Sequence, residues 1–151
     1  LAVSPSVPVS DETVAAPDVS IQAQILNIFM TLRDKLNLTC LFISHDIGVV
    51  RHISHRVAIM YLGRLVELGN CDEIFSNPTH PYTRLLLDGV PRISQRHFAF
   101  HHITGEIPSP LAPPPGCHFH PRCPQATEQC KSERPALREI GPGHSTACFK
   151  V

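Results

Sequence analysis

Residues 41–69 read "LFISHDIGVVRHISHRVAIMYLGRLVELG" and hold the elements that decide the fold. The apolar run at 39–44 contains β-forming side chains and predicts a strand buried on both faces, as in a parallel sheet. The polar triplet Ser-His-Asp follows it and predicts a loop that leads into a short helix. Two further runs, at 56–61 and 64–69, predict strands of a hairpin joined by a Leu-Gly turn. This order of elements indicates an α/β fold.

The segment before this stretch predicts a strand and a helix. The run "VPV" should end in Asp11 and Glu12, although Pro8 cannot donate to a sheet ladder. An amphipathic helix follows, with Ser20 as its N-cap and its end near Asn37. Its apolar residues recur at steps of three and four and should form one buried face: Ile21, Ile25, Ile28, Phe29, Leu32 and Leu36.

The segment after the hairpin predicts two more helices. Asn70 should cap the first helix, and Pro81 suits the first turn of the second. From about residue 91 the sequence changes to a proline-rich linker and then to a loop-rich, cysteine-containing extension. We therefore predict one domain at 1–90 and a C-terminal region at 91–151.

Composition excludes several classes of protein. The 151 residues carry 13 basic and 13 acidic side chains, so no overall field draws the chain to nucleic acid or anionic lipid. No apolar run approaches the roughly 20 residues that span a bilayer. The N-terminus does not have the pattern of a signal peptide. In this setting, clustered cysteines indicate metal ligands more than disulfides.

Polar residues follow two predicted strands, and this layout is typical of phosphate chemistry. Asp-Glu follows the first strand and Ser-His-Asp the second. The carboxyl ends of parallel strands meet at one crevice, where carboxylates can hold Mg²⁺ or orient water and a histidine can contact a terminal phosphate. Either pattern alone also fits a solvated turn or a helix cap.

Taken in order, these segments resemble the second half of an ABC-transporter ATPase. "LAVSPSVPVSDETVAAPDVSIQAQIL" is similar to the Walker B strand, catalytic glutamate and D-loop, and "LFISHDIGVVRHISHRVAIMYLGRLVELG" to the H-loop region. "EIFSNPTHPYTRLLLDGVP" and the proline- and cysteine-rich tail resemble the ATP-binding subunits of dipeptide and oligopeptide importers. The resemblance implies the C-terminal half of a P-loop, RecA-like ATPase domain.

Four site residues follow from this resemblance by position. It implies that Asp11 holds magnesium, that Glu12 is the general base or orients water, and that His45 contacts the γ-phosphate. Asp18 would be the D-loop aspartate that reaches across an ATPase dimer. Thr13 departs from the family, which usually has proline after the glutamate.

Two family motifs are absent from the sequence. Neither the phosphate-binding pattern G-x-x-x-x-G-K-[ST] nor Leu-Ser-Gly-Gly-Gln occurs. In the family both motifs lie upstream of the segment matched here. We therefore expect the chain to be a C-terminal fragment, inactive by itself, and to derive from a split subunit, a truncation or a gene remnant.

Four cysteines in the tail have the spacing C-x5-C-x6-C-x17-C: Cys117, Cys123, Cys130 and Cys148. The spacing lacks the close pairs usual for structural zinc, and iron–sulfur clusters accept more varied loops. Two disulfides or four free thiols remain alternatives. The resemblance implies a [4Fe–4S] cluster on these four residues, with Zn²⁺ as the alternative. We expect the nearby His118, His120 and His144 to lie beside the ligands or at the surface.

The resemblance also implies a function and partners. The chain would belong to an ATP- and Mg²⁺-dependent subunit that energises import of dipeptides or oligopeptides. It would lie at the cytoplasmic face of the membrane with permease subunits, a second ATPase subunit and a substrate-binding protein. A small iron–sulfur or zinc module and a non-functional remnant are the alternatives, and the sequence does not identify the cargo.

Overall fold

The computed structural model describes residues 5, 7–12, 19–89 and 105–151. Their contacts divide the chain into two compact units, Leu1–Ser54 and His55–Val151. Among these described residues, no helix is both long enough and apolar enough to cross a membrane.

The first unit contains two parallel strands and two helices: β1 (Val9–Asp11), α1 (Val19–Lys35), β2 (Leu41–Ile43) and α2 (Ile47–Ile53). Val9 lies opposite Leu41, and Asp11 lies opposite Ile43. Pro8 is compatible with this pairing because its carbonyl accepts a 3.0 Å hydrogen bond from the Leu41 amide. The predicted short strand before the helix is therefore confirmed.

A small core joins the two helices of this unit. Leu26, Val49 and Ile53 are buried, and Phe29 and Phe42 pack against them. The Arg33 guanidinium also donates a 3.0 Å hydrogen bond to the carbonyl of Ile53. This contact satisfies one of the carbonyls left free at the end of α2.

Three predictions for this unit are wrong in detail. α1 begins at Val19, so Ser20 lies in its first turn and is not the N-cap. Most of the face predicted to be buried is exposed, with Ile28 at 60%. The strand predicted to be covered on both faces is also exposed, with Leu41 at 54%. A sequence pattern marks a surface suited to packing, and a two-stranded sheet leaves much of that surface uncovered.

The second unit is built on a four-stranded antiparallel sheet of order β3-β4-β6-β5. Its elements are β3 (Arg56–Tyr61), β4 (Arg64–Asn70), α3 (Cys71–Ser76), α4 (Pro81–Asp88), a 3₁₀ turn (His120–Arg122), α5 (Glu128–Ser132), β5 (Arg138–Gly141) and β6 (His144–Thr146). The predicted hairpin is confirmed as β3 and β4. Leu62 and Gly63 form its turn with φ angles of 42° and 74°. Positive φ at both positions is the requirement of the tight hairpin turn.

Both predicted helix starts of this unit are confirmed in position. Asn70 is the N-cap residue of α3, as predicted, although its side chain makes no capping hydrogen bond. Pro81 occupies the first turn of α4, as predicted. The cap of α4 is His80, whose Nδ1 accepts a 3.1 Å hydrogen bond from the Tyr82 amide.

The loop-rich extension predicted for 91–151 is not confirmed. Its last part forms β5 and β6, and β6 pairs with β4, where Glu67 lies opposite Thr146 and Leu68 opposite Ser145. The predicted boundary between residues 90 and 91 falls within the second compact unit, outside the described residues, and stays a prediction.

Phe119 is the centre of the aromatic core in this unit and is 1% exposed. Its ring centroid lies 5.2 Å from that of Tyr61, 5.3 Å from Tyr82 and 5.9 Å from His80. Aromatic pairs at these separations add stability beyond the area that they bury. The core thus joins the hairpin, α4 and the cysteine-bearing tail.

Candidate functional site

The first candidate site lies where the two parallel strands of the first unit end. Glu12 follows β1, and His45 lies two residues beyond β2. The Oε1 atom of Glu12 and the Nδ1 atom of His45 are 2.8 Å apart, and both side chains are exposed. Two residues predicted to act together on a phosphate are therefore in direct contact, 33 positions apart in sequence.

The backbone of Glu12 has an unusual conformation. Its φ angle is 46°, which non-glycine residues rarely adopt, while its amide donates a 3.0 Å hydrogen bond to Ile43. Such conformations cost on the order of 1–3 kcal/mol and are often found at active sites. Glu12 therefore has an unusual backbone at the position where its carboxylate contacts His45.

The loop that carries His45 is fixed by its neighbours. The Asp46 amide donates to Ser44 Oγ at 3.0 Å, and the Asp46 carboxylate accepts from the Val49 amide at 3.1 Å. Asp46 is therefore the N-cap of α2. The acid of the Ser-His-Asp triplet organises the backbone, and the histidine is left at the strand end.

Asp11 and Asp18 are the two other residues predicted for this site. Asp11 ends β1 in an exposed position, opposite Ile43. An exposed carboxylate at a strand end can bind Mg²⁺ through water. Asp18 lies outside the described residues.

The second candidate site is a small cavity in the second unit. All four tail cysteines line it, together with His80 and Phe119: Cys117, Cys123, Cys130 and Cys148. All six cysteines of the chain are free thiols, so the disulfide alternative has no support in this structure. The fold thus brings four sulfurs that are up to 31 positions apart in sequence around one space.

A glycine makes this arrangement of thiols possible. Gly116 has a φ angle of 67°, and a Cβ atom on it would lie 2.5 Å from the carbonyl oxygen of Cys130. This close approach lets the Cys117 amide donate a 2.8 Å hydrogen bond to the same oxygen. A second link at Cys130 places the Thr127 hydroxyl 3.2 Å from the sulfur.

The thiols interact electrostatically as well as sterically. Burial raises the pKa of the Cys117 thiol, and the nearby Cys130 and Cys148 raise it further. Burial likewise raises the pKa of Cys123, with contributions from the other three sulfurs. Several thiolates in one cavity repel each other, and a bound cation would remove that repulsion. Among the described residues, however, no three His, Cys, Asp or Glu side chains form a group that could hold a single metal ion.

The histidines near the cysteines occupy three different environments. His118 Nδ1 lies 3.2 Å from the Leu62 carbonyl, and His120 Nδ1 lies 2.9 Å from the Cys117 carbonyl. His144, expected beside the ligands or at the surface, is instead buried, with Nε2 2.8 Å from Glu67 Oε1.

Sequence reasoning missed two buried residues next to the cysteine cavity. Glu67 is fully buried in β4, and His80 is 1% exposed at the start of α4. No feature of the sequence distinguishes Glu67 from an ordinary glutamate of a strand. His80 belongs to the His-Pro-Tyr-Thr element, which indicates a family but no role for the histidine.

Part of the chain matches a known protein family. Residues 66–130 match the family described as "Oligopeptide/dipeptide transporter, C-terminal region". This range includes most of the hairpin strand β4, the His-Pro-Tyr-Thr element and three of the four tail cysteines.

Individual relatives match nearly the whole chain. The dipeptide transport ATP-binding protein DppF of Haemophilus influenzae is 49% identical over 152 residues, which is 100% of this chain and 46% of the relative. The oligopeptide transport ATP-binding protein AppF of Bacillus subtilis is 48% identical, over 98% of this chain and 46% of the relative. The Escherichia coli DppF protein is 48% identical, over 100% of this chain and 45% of its own length.

The chain therefore spans less than half the length of the curated relatives that it matches. The predicted resemblance to the C-terminal part of a peptide ABC importer's ATP-binding subunit is confirmed. The alternative of a small stand-alone iron–sulfur or zinc module finds no support in these matches.

Proposed function

We propose that this chain forms the C-terminal part of an ATP-binding subunit that hydrolyses ATP to energise peptide import. The observation that carries the proposal is the 2.8 Å contact between Glu12 and His45 at the ends of two parallel strands. Relatives named as dipeptide and oligopeptide transport ATP-binding proteins match the chain at 48–49% identity, which supports the cargo class.

The chemistry assigned to this pair follows from its hydrogen bond. A carboxylate such as that of Glu12 can orient a water molecule and accept its proton as the water attacks the γ-phosphate. His45 holds that carboxylate through Nδ1, so its other ring nitrogen is free to face a phosphate oxygen. When both ring nitrogens are protonated, Nε2–H can donate to that oxygen. Asp11 would bind Mg²⁺, and Asp18 would act across the interface with a second ATPase subunit.

A chimera tests this proposal. In it, this chain replaces the matching part of the Haemophilus influenzae relative, and phosphate release is measured on the purified protein. Glu12→Gln and His45→Ala should each lower turnover about 100-fold or more, the usual contribution of a positioned acid or base. Asp34→Asn is the matched control, because Asp34 is an exposed acid of the same unit that pairs with Arg33. Full turnover in Glu12→Gln would refute the assigned role.

For the cysteine cavity we propose a [4Fe–4S] cluster bound by Cys117, Cys123, Cys130 and Cys148. The donor set fits: four free thiols line one cavity. A tetrahedral zinc would hold four sulfurs within about 3.8 Å of each other, given a Zn–S distance of about 2.3 Å. A cluster binds its thiolates at separate irons, which suits sulfurs that line a cavity without grouping around one point. The cluster would link the loops that carry its ligands.

Measurement of bound iron, sulfide and zinc distinguishes a cluster from a zinc ion and identifies the cysteines that bind it. Anaerobically purified protein should contain about four irons and four sulfides per chain. Cys130→Ser should lose most of the iron, whereas Cys71→Ser should retain it, because Cys71 does not line the cavity. One bound zinc with no iron would replace the cluster proposal with the zinc alternative.

The proposed partners follow from the proposed activity. As part of such a subunit, the chain would work with membrane permease subunits, a second ATPase subunit and a substrate-binding protein. Its place would be peripheral, at the cytoplasmic face of the membrane. Purification of the tagged chimera with permease subunits from membranes tests this placement, and its absence from the membrane fraction would count against it.

A further inference from the structure

A buried carboxylate lies next to the cysteine cavity and is used by neither proposed site. Glu67 is 0% exposed, and its Oε1 atom accepts hydrogen bonds from the amide and hydroxyl of Thr79 at 2.8 and 2.7 Å. Oε2 accepts from the His80 amide at 3.0 Å, and His144 Nε2 lies 2.8 Å from Oε1. A buried charge is tolerated only when it is paired and hydrogen-bonded, and this one makes four such contacts.

The charge state of Glu67 agrees with this geometry. Burial alone raises the pKa of Glu67, but the polar groups of Thr83, Thr79 and His144 around the carboxylate outweigh burial and hold the pKa below its ordinary value. Glu67 is thus a charged acceptor near neutral pH. Hydrogen bonds to a charged acceptor are about twice as strong as those between neutral groups.

The donors to Glu67 come from two segments that are far apart in sequence. Thr79 and His80 form the turn before α4, and His144 begins β6, 77 positions from Glu67. β6 pairs with β4 at only two positions, extended by a 2.8 Å hydrogen bond from the Ala147 amide to Val66. The Thr146 hydroxyl also donates to the Val66 carbonyl at 3.4 Å, and β6 pairs with β5 on its other side. The Glu67–His144 contact is therefore one of the few links that hold β6 against β4.

Both segments continue into walls of the cysteine cavity. His80 itself lines the cavity, and Cys148 lies two residues beyond the end of β6. A shift of either segment would therefore move one wall relative to the other.

We propose that Glu67 is a positioning residue of the cysteine cavity, which joins the 79–80 turn to β6 and so helps to fix Cys148 against the other three thiols, beside the 3.2 Å hydrogen bond that Arg138 donates to the Cys148 carbonyl. This inference goes beyond the ATPase function and does not depend on it. It also holds whether or not the sulfurs bind metal, because it concerns where the fold places them.

Thiol labelling of the full 151-residue chain tests the proposal. The native protein is freed of chelator and reductant and is then pulsed with iodoacetamide. Peptide mass spectrometry measures the labelling rate of each cysteine. Cys130 and Cys71 are equally buried, at 8% exposure, but only Cys130 lines the cavity. In Glu67→Gln, Cys130 and Cys148 should label about tenfold faster or more, because local opening exposes them, while Cys71 keeps its rate.

Glu73→Gln is the matched control. Its carboxylate lies 3.8 Å from Nδ1 of the same His144 ring but is half-exposed, so labelling should stay at the wild-type rate. His144→Gln retains a donor at the position of Nε2 and should label within about twofold of wild type, whereas His144→Leu should behave like Glu67→Gln. Unchanged Cys130 and Cys148 rates in Glu67→Gln overturn the proposal. A parallel rise of Cys71 also overturns it, since it would mean general loosening of the unit. If Glu67→Gln does not fold, the two His144 variants decide. Equal labelling rates of Cys130 and Cys148 in His144→Gln and His144→Leu would then overturn the proposal.

Discussion

Lowering the pH from 7 to 5 should destabilise the second unit through one histidine. His80 is 1% exposed, caps α4 through Nδ1 and packs 5.9 Å from Phe119. Burial lowers the pKa of His80 from 6.5 to about 4, although the charge of Glu67 acts to raise it. The folded unit therefore keeps this ring neutral at a pH where the unfolded chain binds a proton.

The sign and size follow from proton linkage. The lowered pKa of His80 contributes stability that is fully present above pH 6.5 and is lost as the pH falls towards about 4. With one pKa unit equal to 1.36 kcal/mol, the loss between pH 7 and pH 5 is about 2 kcal/mol, and it approaches about 3 kcal/mol below pH 4. The pKa of Glu67 is lowered from 4.5, so its contribution is lost below that pH and lies outside this range.

Urea unfolding followed by tyrosine fluorescence measures this loss. Both tyrosines of the chain, Tyr61 and Tyr82, lie in the second unit, and the chain has no tryptophan. His80→Asn is the matched variant, because its side-chain oxygen can still accept from the Tyr82 amide but cannot titrate. The unfolding free energy of the wild type should fall by about 2 kcal/mol more than that of the variant between pH 7 and pH 5. Equal falls in the two proteins would refute the reasoning about His80.

Three further predictions concern local structure. Gly116→Ala should destabilise the second unit by more than about 2 kcal/mol, because its φ is 67° and the new Cβ would lie 2.5 Å from the Cys130 carbonyl oxygen. Gly141→Ala meets no atom within 4 Å, so urea midpoints that fall equally for both would contradict this explanation. Asp46→Ala should lower the unfolding free energy of the first unit by about 1 kcal/mol, since it removes the cap of α2. An unchanged thermal midpoint, followed by circular dichroism, would show that the cap is dispensable. Ile28→Lys, at a position 60% exposed on α1, should lower concentration-dependent light scattering without loss of helicity, and undiminished scattering would mean that this face does not drive association.

The sequence predicted those elements that depend on a few neighbouring residues. The Leu62–Gly63 turn and Pro81 at the start of α4 could be read directly, because a tight turn requires positive φ and a helix start tolerates proline. The periodicity of α1 predicted a helix correctly but misjudged burial. Hydrophobic spacing identifies a face suited to packing, whereas burial depends on what covers it.

The interior of the second unit could not be predicted in the same way. Glu67 reads as an ordinary strand glutamate, and its donors lie 12, 13 and 77 positions away. The strands β5 and β6 are short, and one of them pairs with β4 across the linker, which local propensity does not reveal. The Glu12–His45 contact was accessible because parallel strand ends converge, although the roles assigned to these residues rest on family resemblance.

Peptide uptake by the chimera tests the central proposal most directly. Cells that lack their own dipeptide-transport ATP-binding protein receive the chimera, and the initial rate of labelled dipeptide uptake is measured. The chimera should restore uptake, Asp34→Asn should keep it, and Glu12→Gln should abolish it at equal protein levels. Failure of the expressed chimera to restore uptake, or equal uptake by Glu12→Gln, would contradict the proposal that this chain completes a peptide-importing ATPase.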